Sequence, residues 1–549
     1  MNMLGHGTVI VSLLVPTALS LCPPPGAVLP PPFLEPGTSN FSIPDILFIN
    51  STSVQVQNTS FAVQASIGDT IVFQYEHSAP GREVNQSLFD TKIRIASATK
   101  LITALALKLS KDKINLDDPI TKFIPELSDE FYGDVTIESL TDHTSGLGRF
   151  GYTTDLGFSP ATAAALGLPK INNTLPGCDP IPGGRVCTDQ EVLDEFNNSA
   201  YAPRSPESRA MYSNIGYILL GKALEAVYNR SYEDVIQTLI FDPVGMPKST
   251  FVVPEDDGSA ILPRRPEDKS WFVADFANLN PTGGLWSTPN EMLKMLHALK
   301  NGELLSKAEL REWMQPTTFL RSMHQYVGVA WEIFRITDLP LDFPRPIDVY
   351  TKAGGVPGYG SYLVSIPEYD ISITINAAGG ETSYSSIDLL GTITTALIPY
   401  ADQLARSQTS SRYAGTYVLS TPIGNDTLVL SSTSGPGLSI DSLTINNVSV
   451  INALAKRQNV PSENFSARLY PTDPDSLGTH RENWRMLPDQ VTPAKKLWAE
   501  LECMSWNLGD FARYVSEPLD TFVFHMDADR AKVTSVRLLG WRVNLVKID

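Results

Sequence analysis

Ile95-Ala96-Ser97-Ala98-Thr99-Lys100-Leu101-Ile102-Thr103-Ala104-Leu105-Ala106-Leu107 is the stretch that decides how this chain is read. An extended segment, Thr91 to Ile95, runs into a helix expected over Ala96 to Leu109, apolar nearly all round and therefore buried. The i,i+3 spacing puts Ser97 and Lys100 on one face of that helix. A helix N-terminus favours negative charge and disfavours a cation. Leu101 and Ile102 add a desolvation penalty, so Lys100 is pushed toward the neutral amine, which is a base. The free N–H groups of the same helix end can stabilise an oxyanion at Ser97. The bland alternative is an N-capping Ser97 with Lys100 reaching to water. On this stretch alone the two readings weigh evenly. A second S-x-x-K, Ser110 to Lys113, lies past the apolar helix around Lys111 and Asp112, and reads as a solvated helix end.

Two further elements carry chemistry. Tyr212-Ser213-Asn214 opens another apolar helix, offering a phenol for proton transfer and an amide to hold a substrate carbonyl. Lys352-Ala353-Gly354-Gly355 precedes the strand-like runs Tyr362 to Ile366 and Ile371 to Ile375. There a cation can keep a neighbouring phenol or amine deprotonated. The glycines let a substrate lie against a strand edge, and the Gly355 N–H can serve as an oxyanion donor. Each has a bland counterpart: a capped helix with a core tyrosine, and a Gly-rich turn with a surface lysine. Other routes are absent. No G-x-S-x-G elbow occurs. Gly216 to Lys222 fits G-x-x-x-x-G-K, but Tyr217, Ile218, Leu219 and Leu220 make it a buried helix rather than a phosphate loop.

Taken as a set, these motifs resemble the penicillin-binding-protein and class C β-lactamase family of serine hydrolases. Ser97-Ala98-Thr99-Lys100 is similar to its S-x-x-K, Tyr212-Ser213-Asn214 to its Y-x-N, and Lys352-Ala353-Gly354 to its K-T-G with Ala for Thr. Leu116 to Pro119, His143 to Leu147 and Pro281 to Thr288 add supporting matches, expected as turns and helix starts rather than catalytic parts. The resemblance spans roughly residues 50 to 400, and the tail from about 410 resembles the β-rich C-terminal domain of secreted fungal members. It implies a catalytic set of Ser97, Lys100 and Tyr212, with Asn214, Lys352, Gly354 and Gly355 binding substrate. It implies no metal and no organic cofactor. The missing Thr hydroxyl at Ala353 tilts the substrate away from penicillin-like molecules, toward esters or other amides.

Outward from the site, sheet segments at both ends of a largely helical middle give an α+β class: an antiparallel sheet flanked by helices, with a helical subdomain. A smaller all-β domain follows. The expected divisions are a signal peptide over 1–20, a Pro-rich arm over 21–45, the hydrolase domain over 46–405 and the β-domain over 412–549. A short helix is expected from Ser386 to Ile398. Thr8 to Leu21 is too short and too broken by Pro16 to span a bilayer, and Ala18-Leu19-Ser20 suits a signal peptidase. Ten N-x-[ST] sequons, at Asn40, Asn50, Asn58, Asn85, Asn172, Asn197, Asn229, Asn425, Asn447 and Asn464, fit a secreted glycoprotein. Cys178 and Cys187 bracket a Gly/Pro loop and can pair in an oxidising compartment. That loop either shapes the site entrance or merely decorates it. Whether Cys22 and Cys503 join stays open.

With 60 acids against 42 bases and a net charge of −18, the chain is a poor partner for nucleic acid. Seven scattered histidines offer no zinc-ligand spacing. The partner expected is a small-molecule ester or amide, with no membrane span and an oligomeric state left open. Acyl transfer to a small natural product, or binding without catalysis, are the alternatives.

Overall fold

The structure is a computed structural model that describes residues 19–22, 24, 26–35, 37–43, 58–79, 86–171, 175, 178, 185–255, 258–263, 269–379, 382–422, 424–432, 435–489, 491–493 and 505–548. The expected leader up to Ala18, the strand pattern at Ser53 to Val56, Cys503 and the sequons at Asn50, Asn85 and Asn172 lie outside these. The chain forms two compact units. One holds residues 32–340 and 346–401, the other 1–31, 341–345 and 402–549.

The larger unit is built on an eight-stranded sheet. Its strands are β1 (Thr59–Ile67), β2 (Thr70–His77), β3 (Thr318–Phe319), β4 (Gln325–Val327), β5 (Glu332–Ile336), β6 (Ile347–Val356), β7 (Tyr359–Ile366) and β8 (Ile371–Gly379). All pairs are antiparallel, in the order β2-β1-β8-β7-β6-β5-β4-β3. Every residue of β1 and β8 is buried, whereas β2 at the edge alternates buried and exposed positions. That is the pattern of strands covered on both faces against one whose outer face meets water.

Helices α1 (Thr99–Leu109) and α3 (Pro289–Lys300) pack against the sheet, and α2 (Ile215–Tyr228) packs on α1. Leu101, Ile102, Ala104, Leu105, Ala106 and Leu107 of α1 are all buried in one core with Ile218, Leu219 and Leu220 of α2. The Gly216–Lys222 segment is thus interior helix, as its residues require. Ser110 corrects the reading of a solvated helix end. It caps α1 at 2 % exposure, with its hydroxyl donating to the Ala106 carbonyl and lying 3.0 Å from the Tyr228 phenol that covers it.

The helix expected from Ser386 to Ile398 is longer: α4 runs Thr382–Tyr413, with Pro399 inside it. The break between the two units falls within α4, at Ala401 and Asp402. In the smaller unit, Val28 and Leu29 of the Pro-rich arm are buried against Ala405, so this part of the arm is docked rather than free. Leu19–Leu21 pairs with Val491–Pro493. The smaller unit is all-β in its main part. Strands β9 (Gly415–Thr421), β10 (Gly424–Ser431), β11 (Leu438–Ile445), β12 (Ala467–Tyr470), β13 (Arg481–Pro488), β14 (Thr521–Met526), β15 (Val533–Leu538) and β16 (Val543–Lys547) follow one another as β10-β9-β16-β15-β14-β13-β12-β11. β11 pairs back onto β10, which closes a barrel and removes the open edges of the sheet. Tyr413, Tyr417, Trp484 and Phe524 fill it. Cys178 and Cys187 are joined by a disulfide, and Cys22 is also disulfide-bonded.

Among the described residues no helix is long and apolar enough to cross a membrane. Of the described sequons, Asn40, Asn229, Asn425, Asn447 and Asn464 are exposed, while Asn58 and Asn197 are half-buried.

Candidate active site

A two-residue ribbon delivers Ser97. Ile93–Arg94 pairs with Trp286–Ser287, and the Ile95 N–H extends the pairing to the Leu285 carbonyl. The chain then turns sharply: Ala96 takes φ +47, a left-handed conformation that a residue with a Cβ adopts only under strain. One 3₁₀ turn, Ala96–Ala98, carries Ser97 into the first turn of α1. The Thr99 hydroxyl secures the bend by donating to the Ala96 carbonyl at 2.7 Å.

Lys100 is fully buried in that first turn. Its ammonium donates to Asn214 Oδ1 at 2.7 Å, to the Thr282 carbonyl at 2.8 Å and to Ser97 Oγ at 3.2 Å. Asn214 stands at the N-cap of α2 but makes no side-chain cap bond; its amide faces Lys100 instead. The Tyr212 phenol belongs to the same cluster, its charge coupled to those of Lys100 and Lys352. The Lys100 and Lys352 Nζ atoms each lie 5.1 Å from its ring centre.

Electrostatics follow from this packing. Burial lowers the pKa of Lys100 to about 8, only partly offset by Tyr212. Burial alone would push the Tyr212 phenol up, but the Lys100 and Lys352 cations outweigh it and lower the phenol to about 8. The two groups therefore titrate as a coupled pair near pH 8. Lys352 remains a cation despite burial. Glu332 Oε1 lies 2.6 Å from its Nζ and, with Tyr212, keeps its pKa raised.

Strand β6 supplies the opposite wall. β5 pairs with β6 only as far as Glu332 opposite Thr351, leaving the edge free beyond. Glu332 Oε2 accepts the Ala353 N–H at 3.0 Å, which fixes that edge as the one Ala353 faces. Strand alternation then aims the Gly355 N–H along the same open edge, and Gly355 is exposed. Gly354 presses on the Ser97 turn. A Cβ there would sit 2.0 Å from the Ile95 carbonyl oxygen, 2.5 Å from Ser361 Oγ and 2.9 Å from the Ala98 nitrogen, so only glycine fits.

All seven residues singled out in the sequence thus meet around one half-exposed serine. Ser97, Lys100, Tyr212, Asn214 and Lys352 form one polar cluster, with Gly354 and Gly355 beside it. Nucleophile, poised base and edge N–H groups are the parts that acyl transfer needs.

Three contributors escape the motif reading. Glu332 is one. The second is His143, expected only in a turn. Its ring centre lies 4.4 Å from that of Tyr212, and its Nδ1 accepts the Ser213 N–H at 3.2 Å. Burial, aided by Lys100 and Lys352, holds its pKa well below the usual range, so it is a neutral platform. The third is Thr282, whose carbonyl binds Lys100 while its hydroxyl donates to the Asn214 carbonyl at 2.7 Å. A lone acid in the strand run Trp331-Glu332-Ile333-Phe334 was the available signal for the first.

The chain matches the family model described as Beta-lactamase over residues 56–388, and that of the Beta-lactamase-like-like C-terminal domain over 405–549. It is 26 % identical over 537 residues to a "Beta-lactamase-like protein" of Arthroderma benhamiae, covering 90 % of this chain and 88 % of the relative. It is 29 % identical over 524 residues to a "Probable hydrolase M10" of a Phoma species, covering 89 % and 84 %. Similarity at 26 % over 331 residues extends to a "D-alanyl-D-alanine-carboxypeptidase/endopeptidase AmpH" of Escherichia coli, covering 57 % of this chain and 77 % of that one.

Proposed function

Given that the chain belongs to the β-lactamase family, we propose that it is a secreted serine hydrolase that cleaves an ester or amide through an acyl-enzyme on Ser97. The observation that carries this is the convergence of the Ser97 hydroxyl, the Lys100 amine and the Tyr212 phenol, with both proton acceptors tuned to about 8.

In this reading Ser97 Oγ attacks the substrate carbonyl carbon, and its proton passes to the neutral amine of Lys100 or to the Tyr212 phenolate. The N–H groups of Ser97 and Gly355 hold the oxyanion; one such donor is worth roughly 2.7–4 kcal/mol. The Asn214 amide orients the substrate, and Lys352 keeps the phenol acidic. The proton returns to the leaving alcohol or amine as its bond to the carbonyl breaks. Water then attacks the acyl-enzyme by the reverse relay. The exposed sequons and the leader-like N-terminus support export.

Intact mass after exposure to a fluorophosphonate should rise by one adduct in the wild-type protein and not in Ser97→Ala. A folded wild-type protein that takes no adduct would refute the proposal.

A further inference from the structure

A cavity of about 490 Å³ lies beside the segment that presents Tyr212, bounded by Gly148, Tyr201, Arg204, Ser208, Arg209 and Met211 among others. Among the described residues no acidic side chain lines it, in a chain whose acids outnumber its bases 60 to 42. Arg149 sits in the loop whose Gly148 and Gly151 form part of the wall. Its carbonyl accepts the Asn214 N–H at 2.7 Å, and its guanidinium lies 5.3 Å from the Tyr212 ring centre. Arg149, Arg204 and Arg209 are all exposed, and among the described residues none has a carboxylate partner. The nearby acids are engaged elsewhere: Glu207 Oε2 accepts from Thr144 Oγ1 at 3.2 Å, and Asp155 Oδ2 from the Tyr201 phenol at 2.8 Å.

The wall is held in place by its backbone. Arg204 N–H donates to the Gly146 carbonyl, Glu207 N–H to Thr144 and Met211 N–H to His143, at 3.0, 2.9 and 2.7 Å. Gly146 has φ +77 and would carry a Cβ 2.3 Å from the Arg204 carbonyl oxygen. Ser205 and Glu207 are held at φ +48 and +62. Strain of this kind persists only where the surroundings enforce it, and it clusters at ligand sites. Arg204 and Arg209 on this fixed wall, with Arg149 in the adjoining loop, have no carboxylate partner among the described residues, and planar guanidinium forks match the geometry of a carboxylate.

We infer that this cavity is a subsite for a carboxylate carried by the substrate, gripped by Arg204 and Arg209 of its wall with Arg149 in the adjoining loop adding positive charge, so that the enzyme prefers ester or amide substrates bearing a second, anionic group. The inference rests on the acyl-hydrolase reading of Ser97. The test compares the 4-nitrophenyl monoesters of adipic and suberic acid with the neutral hexanoate and octanoate esters of equal chain length. The wild-type enzyme should favour the acidic member by about tenfold or more in kcat/KM, the size of one charge-assisted contact. The preference should weaken as salt is raised. In Arg204→Gln/Arg209→Gln the ratio should collapse toward one through KM for the acidic ester, while Arg321→Gln, an exposed charge outside the cavity lining, should keep it. A wild-type ratio near one, or a ratio untouched by the double substitution, overturns the inference while leaving Ser97 chemistry intact. Calorimetry of adipate on Ser97→Ala needs no turnover. Binding lost in the Arg204→Gln/Arg209→Gln background supports the subsite, and absence of binding refutes it. Failure of both esters together with failure of fluorophosphonate labelling strikes the hydrolase reading instead.

Discussion

Glu332 and Lys352 lie 20 residues apart in sequence yet hold each other at 2.6 Å, and the same carboxylate grips the Ala353 N–H. One acid thereby fixes both the charge beside Tyr212 and the strand edge that leads to Gly355. Glu332→Gln should remove the group that keeps Lys352 protonated in a buried site. Lys352 would then lose its proton at lower pH, and the alkaline limb of kcat/KM should move to lower pH. Removing one partner of a buried ion pair costs ~3–5 kcal/mol; with Glu332 side-chain exposure of 30 % the stability loss should be smaller, about 1–3 kcal/mol. A pH–rate profile and a melting curve check both. An unchanged alkaline limb would leave Glu332 a purely structural residue.

The pH dependence of activity follows from the coupled titration of Lys100 and Tyr212. Below about pH 7 Lys100 and Tyr212 are both protonated and no base faces Ser97. Acylation should therefore rise through an apparent pKa near 8 that belongs to the pair. Pre-steady-state acylation rates between pH 6 and 10 measure it, and a rate flat across that range contradicts the assignment.

Stability should run against activity at Lys100. Its pKa of about 8 in the fold lies below its ordinary 10.5, so between those values the unfolded chain binds more protons and stability rises with pH. Below about pH 8 the buried amine costs about 3 kcal/mol by the same shift. Lys100→Met should raise the melting temperature at pH 7 while abolishing turnover. A lower melting temperature would mean that the bonds to Asn214 and Thr282 outweigh desolvation.

Gly354→Ala should drive a methyl into the Ile95 carbonyl and the Ala98 nitrogen. Overpacking of this kind costs ~1–3 kcal/mol. Since the displaced backbone is the Ser97 turn, kcat should fall by more than the melting curve suggests. Stopped assays with a chromogenic ester, set beside thermal unfolding, separate the two effects.

In the smaller unit Arg345 and Asp402 form an ion pair at 2.8 Å with side chains 4 % and 1 % exposed. Asp402→Ala would take the carboxylate away from a buried guanidinium, with an expected loss of ~3–5 kcal/mol. Chemical denaturation of the full chain measures it.

What was legible in the sequence was local. Ser97–Lys100, Tyr212–Asn214 and Lys352–Gly355 announce themselves by spacing and by their place at element boundaries. The partners reached across the fold do not. Glu332 acts through sheet register, His143 through ring stacking and Thr282 through a backbone carbonyl that carries no residue signature. Ser110 looks solvated beside Lys111 and Asp112 because nothing nearby in sequence reveals Tyr228 arriving from another helix. Ile398 looks like a helix end because the residue before a proline disfavours the helical region. Here the buried face of α4, with Leu397, Ile398 and Ala401, carries the helix through Pro399.

The left-handed Ala96 sets the reactive hydroxyl on a bent spring. Glycine at this position would relax the backbone at no steric cost, so a selection for heat resistance alone should find Ala96→Gly. The relaxed elbow would also let the hydroxyl wander from its base, so such survivors should be sturdier and slower. Hardiness and speed are traded at a single methyl group.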